Sequence, residues 1–496
     1  MENYVLGFDI GTTGTRAMIF DRKSREISSA YSEFRQYFPQ DGWVEHDAVE
    51  IYDVTLKMAA EALKKGKVKP KQIAAVGIAN QRETTVIWDK NTGIPACRAI
   101  VWQDRRTLPI CERLEAMNGE KFVRQTGMII VPNDAATKIA WLMENREEIC
   151  HGLEEGSLIY GTIDTWMVWK LTGGKVHITE HSNNSVTLLQ NAEKLDYDEE
   201  ILKVLNIPRH ILPEIRKSSE VYGYTEPEEF FGASVPIGGI LGDQQAAAIG
   251  QGCLKPGTAK NTYGTGSFIV MNTGERYIAP SNGIFSPVIY TKDNLVNYGL
   301  EGMADVSGAV IQWLRDGIGM IQNAEEAEKL AQQAESNMGV YFVPAFVGLG
   351  APYYDSYARG TLIGLSRGAD KRHVARAALE SMAFQVRDSF EMLEKKSGMK
   401  LTRLRADGGG AKSDFMLQFQ ADILGVPVER PEITETTCLG GVYMAGLAVG
   451  YWDSIEEVSE FWRVEKSFEP VMTESQRQEQ ITMWTKAIER AGGWLK

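Results

Sequence analysis

The sequence predicts an α/β protein made of two similar domains that face a shared cleft. Two short apolar strands flank a Gly/Thr turn at residues 4–20, and a small polar turn followed by an apolar strand recurs at residues 260–271. The two turns lie about half of the 496-residue chain apart, and a repeat on that scale indicates two related units. A chain of this length also has enough residues for two separate cores.

The first turn contains the residue types of an anion site placed beside a cation. Asp9 ends the first strand, and Gly11 and Gly14 are expected to adopt positive φ, which would turn successive backbone N–H groups inward. The hydroxyls of Thr12 and Thr13 add donors for a phosphate oxygen, and Asp9 is placed to hold a hydrated divalent cation. A buried hairpin whose Asp caps its own turn is the alternative explanation.

The second turn favours the phosphate interpretation, because it would offer another phosphate-facing hairpin to the same cleft. Paired hairpins of this kind resemble the actin/hexokinase-type ATPase fold. The chain contains neither a Walker-type loop ending in Lys-Ser/Thr nor a G-x-G-x-x-G motif. Glycines and a Lys-Pro-Gly turn within 250–257 mark the expected boundary, which divides the chain into domains 1–252 and 253–496.

Composition argues against several classes of function. The net charge of −13 disfavours nucleic-acid binding, since phosphate backbones need clustered Lys and Arg. The five cysteines are widely spaced, form no metal motif and indicate reduced thiols. The N-terminus lacks the basic and apolar regions of a signal peptide, and no apolar run is long enough to cross a bilayer. The sequence therefore predicts a cytoplasmic protein with no membrane span.

Polar and aromatic residues follow two predicted buried strands, where α/β folds place binding groups. Arg82 and Glu83 follow the strand at 73–79, and Trp102 follows the strand at 99–101. A donor, an acceptor and a flat apolar face suit a neutral polyhydroxylated molecule, whose hydroxyls donate and accept while its C–H faces need apolar contact. A surface Arg–Glu pair beside a core Trp explains these residues equally well.

Two further strand ends are candidates for the cleft. Asp243 follows a strand ending in Gly242, and is expected to lie at the seam between the domains. The glycines at 408–410 would let the backbone pass close to a flat ligand such as adenine. A mobile turn explains this glycine run equally well.

Several separated motifs resemble those of the FGGY family of carbohydrate kinases. Gly360-Thr-Leu-Ile-Gly-Leu365, followed after seven residues by His373-Val-Ala-Arg-Ala-Ala-Leu-Glu380, is similar to the family's C-terminal signature. Four further blocks resemble motifs of the glycerol kinases within that family: residues 42–46, 80–85, 242–245 and 263–266. The similarity extends from Val5 nearly to the C-terminus, and chance does not explain agreement at so many blocks.

The resemblance implies an ATP-dependent kinase with two ribonuclease-H-like domains that close over ATP and a polyol. Asp243 would be the general base that takes the proton of the acceptor hydroxyl, and Asp9 and Asp243 would hold Mg²⁺. The first domain would bind acceptor and phosphates, and the second would bind the nucleotide. The implied nucleotide contacts are Thr12, Thr13, Gly14, Arg16, Thr265, Gly308, Gln312, Gly409 and Ser413. The implied acceptor contacts are Arg82, Glu83, Trp102, Asn133, Asp243, Gln244 and Phe268.

Departures from the glycerol-kinase pattern bear on the identity of the acceptor. Asn133 stands where glycerol kinases typically carry Tyr, and Asp104, Asp305 and Ser286-Pro287 also differ from the pattern. Most of these changes would make an acceptor pocket roomier or more polar, which suits an acceptor with more hydroxyls than glycerol.

We therefore expect a kinase for a larger polyol, a cyclitol or an inosose such as scyllo-inosose, and we expect the protein to form a homodimer or homotetramer. A glycerol kinase that forms glycerol 3-phosphate is the alternative. A non-kinase, actin-like ATPase is the alternative from another class.

Overall fold

The first large sheet lies in the N-terminal half of the chain. The computed structural model describes residues 3–281 and 283–496. The strands of the N-terminal half are Tyr4–Ile10 (β1), Gly14–Phe20 (β2), Glu26–Glu33 (β3), Gln36–Tyr37 (β4), Glu45–His46 (β5), Ile73–Asn80 (β6), Val86–Asp89 (β7), Ala99–Ile100 (β8), Leu158–Gly161 (β9), Ile178–Glu180 (β10), Glu214–Arg216 (β11), Ser219–Tyr224 (β12) and Pro236–Gly242 (β13). Six of them form the sheet, in the order β12-β13-β6-β1-β2-β3.

The second large sheet lies in the C-terminal half. The strands of that half are Ala259–Tyr263 (β14), Ser267–Gly274 (β15), Val288–Lys292 (β16), Leu295–Ala304 (β17), Tyr341–Val343 (β18), Thr361–Ile363 (β19), Leu404–Asp407 (β20), Val428–Pro431 (β21) and Val464–Phe468 (β22). Seven of them form the sheet, in the order β16-β17-β15-β14-β20-β21-β22.

The two sheets share one pattern of strand pairing. In the first, β1 pairs antiparallel with β2 and parallel with β6. In the second, β14 pairs antiparallel with β15 and parallel with β20. The predicted pair of related α/β units is therefore confirmed, whereas the boundary between residues 252 and 253 stays a prediction.

Helices cover both sheets and enclose the cores. The helices are Ala48–Gly66 (α1), Leu108–Thr126 (α2), Ala135–Asn145 (α3), Glu147–Glu155 (α4), Ile163–Leu171 (α5), His181–Asn184 (α6), Glu199–Val204 (α7), Asp243–Gly250 (α8), Gly308–Gln312 (α9), Ala324–Gln332 (α10), Lys371–Ser397 (α11), Asp414–Leu424 (α12), Thr436–Ala448 (α13), Ile455–Ser459 (α14) and Glu474–Ala491 (α15). Helices α1 and α5 pack on the first sheet, and α11 packs on the second. In the described part of the chain, no helix is both long and apolar enough to cross a membrane.

Helix α13 comes from the second half but packs on the first sheet. A Cβ at Gly77 in β6 would lie 2.2 Å from the carbonyl oxygen of Gly441, and one at Gly239 in β13 would lie 2.3 Å from the backbone nitrogen of Ala445. Only glycine permits so close an approach of helix and strand. The glycines therefore allow the C-terminal half to be anchored on the N-terminal sheet.

Candidate active site

A cavity of about 160 Å³ lies between the two halves, beside the carboxyl ends of β1 and β6. Its lining consists of Thr12, Arg82, Glu83, Trp102, Asn133, Asp243, Gln244, Phe268, Phe285, Glu301 and Met303. We call it the acceptor cavity. The structure thus brings together all seven side chains that were expected around an acceptor, while their roles in binding stay predictions.

Arg82 lies between two carboxylates of the acceptor cavity. Its Nη1 and Nη2 donate to Oε2 and Oε1 of Glu301 at 2.7 and 2.6 Å, and its Nε lies 3.2 Å from Oδ1 of Asp243. Because Glu301 belongs to β17, this bidentate ion pair joins the two halves. The guanidinium is therefore held at the seam, on one wall of the acceptor cavity.

Asp243 is fixed at the first position of α8, directly after β13. Its Oδ1 accepts a hydrogen bond from the backbone N–H of Gln244 at 2.7 Å, and its side chain keeps 28% exposure. Burial raises the pKa of Asp243 and the charge of Arg82 lowers it. The carboxylate is thus oriented by the protein but still accessible from the cavity, as a general base must be.

A second carboxylate, Asp9, lies close enough to Asp243 for the two charges to repel each other. The pKa of Asp9 is raised to about 7, first by burial and then by the charges of Asp243 and Glu435, while Arg16 opposes the shift. Mg²⁺ is usually bound by one or two carboxylates together with phosphate oxygens and water. Asp9 and Asp243 beside the first turn are such a donor set, and a cation there would relieve their repulsion. Larger clusters of candidate ligands are not found in the described residues.

A second cavity, of about 480 Å³, lies in the C-terminal half. Its lining includes the five residues of that half that were predicted to contact the nucleotide, namely Thr265, Gly308, Gln312, Gly409 and Ser413. Gly408 adopts φ +83°, where a Cβ would lie 2.6 Å from the carbonyl oxygen of Tyr263, but a Cβ at Gly409 would meet nothing within 4 Å. The glycine run therefore packs closely on β14 at one residue and leaves open space at the next.

The first turn differs from the prediction in its backbone. Neither Gly11 nor Gly14 adopts positive φ, so the expectation that they do is wrong. Gly14 is needed for space instead, because a Cβ there would lie 2.5 Å from the carbonyl oxygen of Ser32 in the neighbouring strand. Thr12 lines the acceptor cavity and accepts a hydrogen bond from Nε1 of Trp102 at 2.9 Å, whereas Thr13 is exposed.

Arg16, another predicted phosphate contact, is paired within the protein. Its Nη1 lies 2.7 Å from Oε1 of Glu435, directly before α13. Its guanidinium also lies 5.4 Å from the ring centre of Tyr31. Arg16 therefore lies outside both cavities in this arrangement, and any contact with phosphate stays a prediction.

Two of the departures that suggested a more polar pocket lie elsewhere. Asp104 is fully buried, accepts from Arg106 at 2.8–2.9 Å and from the backbone N–H of Val44 at 2.7 Å, and does not reach the acceptor cavity. Asp305 lines a separate small cavity beside Gly350. Their carboxylates therefore add no polarity to the acceptor site.

A further departure, Asn133, does line the acceptor cavity, and its Oδ1 accepts from Nη1 of Arg105 at 2.9 Å. The walls that the sequence analysis missed are Phe285, Glu301 and Met303, all from the second half. The backbone of Phe285 forms an isolated antiparallel β-bridge with Glu301, and Met303 pairs with Phe268 in the second sheet. The aromatic ring of Phe285 and the apolar side chain of Met303 line the same cavity as Asn133. Alternation along β17 placed 301 and 303 on one face, but the sequence did not reveal which face.

Comparison with known proteins identifies the family. The N-terminal domain of the FGGY family of carbohydrate kinases matches residues 4–250, and its C-terminal domain matches residues 259–449. The chain belongs to this family. It is therefore an ATP-dependent phosphotransferase that acts on an alcohol group, and the alternative of a non-kinase ATPase is excluded.

Among its relatives, glycerol kinase 2 of Thermotoga maritima is 51% identical over 494 residues, which cover 99% of each chain. A glycerol kinase of Caldanaerobacter subterraneus is 50% identical over the full length of both chains. The crystal structure of Plasmodium falciparum glycerol kinase with ADP superposes with a TM-score of 0.94 at 34% identity, covering 99% of this chain and 98% of that one. A ligand-bound xylulose kinase of Lactobacillus acidophilus, at 23% identity and a TM-score of 0.88, shares the fold.

These relatives contradict the acceptor that was predicted from the sequence. Proteins that match the whole chain at about half identity are named glycerol kinases, so the prediction of a larger polyol, cyclitol or inosose is wrong. The physical reason is visible in the acceptor cavity. Asn133 was expected to leave open space, but the cavity that it lines measures only about 160 Å³, and Phe285 and Met303 of the other half form part of its wall.

Proposed function

We propose that the protein is a glycerol kinase, which transfers the γ-phosphoryl group of ATP to a terminal hydroxyl of glycerol and forms glycerol 3-phosphate. The observation that carries this proposal is the acceptor cavity, whose volume of about 160 Å³ is below the roughly 300–1,000 Å³ of sites for drug-sized ligands. A three-carbon acceptor suits such a space. The relatives named glycerol kinases support the same acceptor.

The lining of the acceptor cavity matches the chemistry of glycerol. Its hydroxyls need groups that donate and groups that accept, which Arg82 and Glu83 supply. Its C–H surface needs apolar contact, which Trp102, Phe268 and Phe285 supply. Because these groups come from both halves, the acceptor would be enclosed and oriented when it binds.

Asp243 is the proposed general base. As the acceptor oxygen forms its bond to the γ-phosphorus, the bond from that phosphorus to the bridging oxygen breaks and ADP leaves. The proton of the hydroxyl passes to the Asp243 carboxylate, which is already oriented by the Gln244 N–H. Such a transfer depends on positioning and charge neutralisation more than on covalent help.

The nucleotide and the cation are assigned to the remaining groups. We propose that Gly409 and Ser413 lie against the nucleoside, and that the turns carrying Thr13 and Thr265 contact the phosphates. Asp9 and Asp243 would hold Mg²⁺, which supplies neutralisation of phosphate charge when bound. The homodimer or homotetramer and the cytoplasmic location remain expectations.

A coupled assay of ADP release tests the proposal. The panel contains glycerol, pentuloses, gluconate and inositols, each with ATP and Mg²⁺. We expect the highest kcat/KM with glycerol, and a product that glycerol-3-phosphate dehydrogenase oxidises. A higher kcat/KM for any other acceptor would refute glycerol as the physiological substrate.

A further inference from the structure

We infer that Glu301 and Lys260, two buried side chains of the second half, are positioning residues of the acceptor site: they hold Arg82 and Gln244 of the first half in the geometry that binds the acceptor. This inference rests on the proposed function, because it deepens the account of the same site. Neither residue belongs to the set that the sequence grouped around the acceptor.

Glu301 fixes the plane of the Arg82 guanidinium. Its residue exposure is 1%, and both of its oxygens accept from Arg82, at 2.6 and 2.7 Å. A bidentate pair of this kind sets direction as well as distance. Since the Nε of the same guanidinium faces Asp243 at 3.2 Å, rotation of Arg82 would disturb the proposed base and the acceptor wall together.

Lys260 fixes the amide of Gln244. Lys260 in β14 is fully buried, and its Nζ donates to Oε1 of Gln244 at 2.5 Å, to Oγ1 of Thr262 at 3.0 Å and to the carbonyl oxygen of Phe268 at 3.3 Å. An ammonium group has only donors, so it holds the oxygen end of the amide. The NH₂ end of Gln244 is thereby left as a donor for an acceptor hydroxyl.

Both contacts cross the seam between the halves. Glu301 lies in β17 of the second sheet and orients Arg82, which follows β6 of the first sheet. Lys260 lies in β14 of the second sheet and orients Gln244, which follows β13 of the first sheet. A buried charge that loses its partner is strongly unfavourable. The acceptor site is therefore complete only when the two halves are in contact, which couples acceptor binding to their relative position.

Three variants test the inference. Glu301→Gln keeps the volume but removes the charge, and Lys260→Met keeps most of the length but removes the donor. We expect each to lower kcat/KM for glycerol by about 30-fold or more, mainly through KM, with the KM for ATP changed less than about threefold. Glu301→Asp, which retains a carboxylate, should lie between wild type and Glu301→Gln.

Glu380→Gln is the matched control. Glu380 is also a buried glutamate of the second half, 2% exposed, and pairs with Nε of Arg376 at 2.7 Å within α11. Loss of the Glu380 charge should lower the thermal midpoint of the protein without changing the KM for glycerol. A merely structural role for Glu301 or Lys260 would give this pattern too.

The inference is overturned if Glu301→Gln and Lys260→Met leave the KM for glycerol within about threefold of wild type. It is equally overturned if the control raises that KM as much as they do. Crystal structures of both variants give a readout that needs no acceptor, and Arg82 and Gln244 should have left their present orientations. If wild type does not phosphorylate glycerol, the proposed function fails, while the structures of the variants still decide the positioning roles.

Discussion

Replacement of Asp243 by asparagine should separate catalysis from binding in this enzyme. The asparagine oxygen can still accept from the Gln244 N–H and face Arg82 Nε, the two donors that now lie 2.7 and 3.2 Å from Oδ1. Arg82 also keeps its two bonds to Glu301. The walls of the acceptor cavity therefore remain in place, while the capacity to take a proton and the negative charge proposed to hold Mg²⁺ are lost.

The expected magnitude at saturating Mg²⁺ follows from the loss of the proton acceptor. General-base catalysis typically contributes about 10²–10⁴-fold, which corresponds to about 2.7–5.5 kcal/mol of activation free energy. We expect kcat to fall by this factor, with the KM for glycerol changed by no more than a few-fold. Because burial raises the pKa of Asp243, its ionised form is disfavoured in the folded protein. The neutral variant should thus have a thermal midpoint at least as high as wild type.

The assay is steady-state ADP release at saturating ATP and glycerol, repeated at increasing Mg²⁺ so that weaker cation binding does not appear as lost turnover. Asp388→Asn is the control, because Asp388 is another buried aspartate and accepts from Tyr353, Trp484 and Arg387 at 2.7–3.0 Å, away from the acceptor cavity. Its folded fraction should retain wild-type kcat. Turnover of Asp243→Asn within a few-fold of wild type would remove Asp243 from the mechanism.

Three further predictions concern the nucleotide cavity, closure and stability. Gly409→Leu should raise the KM for ATP by about tenfold, which corresponds to about 1.4 kcal/mol. The melting temperature should not change, because a Cβ at Gly409 meets no protein atom within 4 Å. An unchanged KM for ATP would place the nucleotide elsewhere. Small-angle scattering should give a smaller radius of gyration with glycerol and a non-hydrolysable ATP analogue than without ligands, and an equal radius would argue against closure. Burial lowers the pKa of His46 to about 4, below its ordinary value of about 6.5. The unfolded chain therefore binds this proton more strongly, and the free energy of unfolding falls as the pH drops from about 6.5 to about 4. At pH 5 the free energy of unfolding should be about 2 kcal/mol lower than above pH 7. Chemical denaturation of wild type and His46→Leu checks this, and an equal pH dependence in both would contradict it.

The sequence by itself determined the fold and the chemistry of the reaction. The repeated turn at Thr12 and Thr265 indicated two related units, because strands and their turns are encoded by local periodicity and small residues. The residues after strand ends, among them Arg82 and Asp243, were predicted to be binding groups, because parallel strands bring their carboxyl ends to one edge. The structure places both side chains in the wall of the acceptor cavity.

Only the tertiary structure decided how large the acceptor cavity is. Phe285, Met303 and Glu301 reach it through strand pairing and through contacts between the halves, which no local pattern specifies. Asp104, by contrast, does not reach the cavity. It lies two residues after Trp102, but its carboxylate turns inward and pairs with Arg106. The sequence states which chemistry a side chain offers, but its direction depends on packing against residues that are distant in the chain. The expectation of a larger acceptor relied in part on Asp104 and Asp305, whose carboxylates lie outside the acceptor cavity.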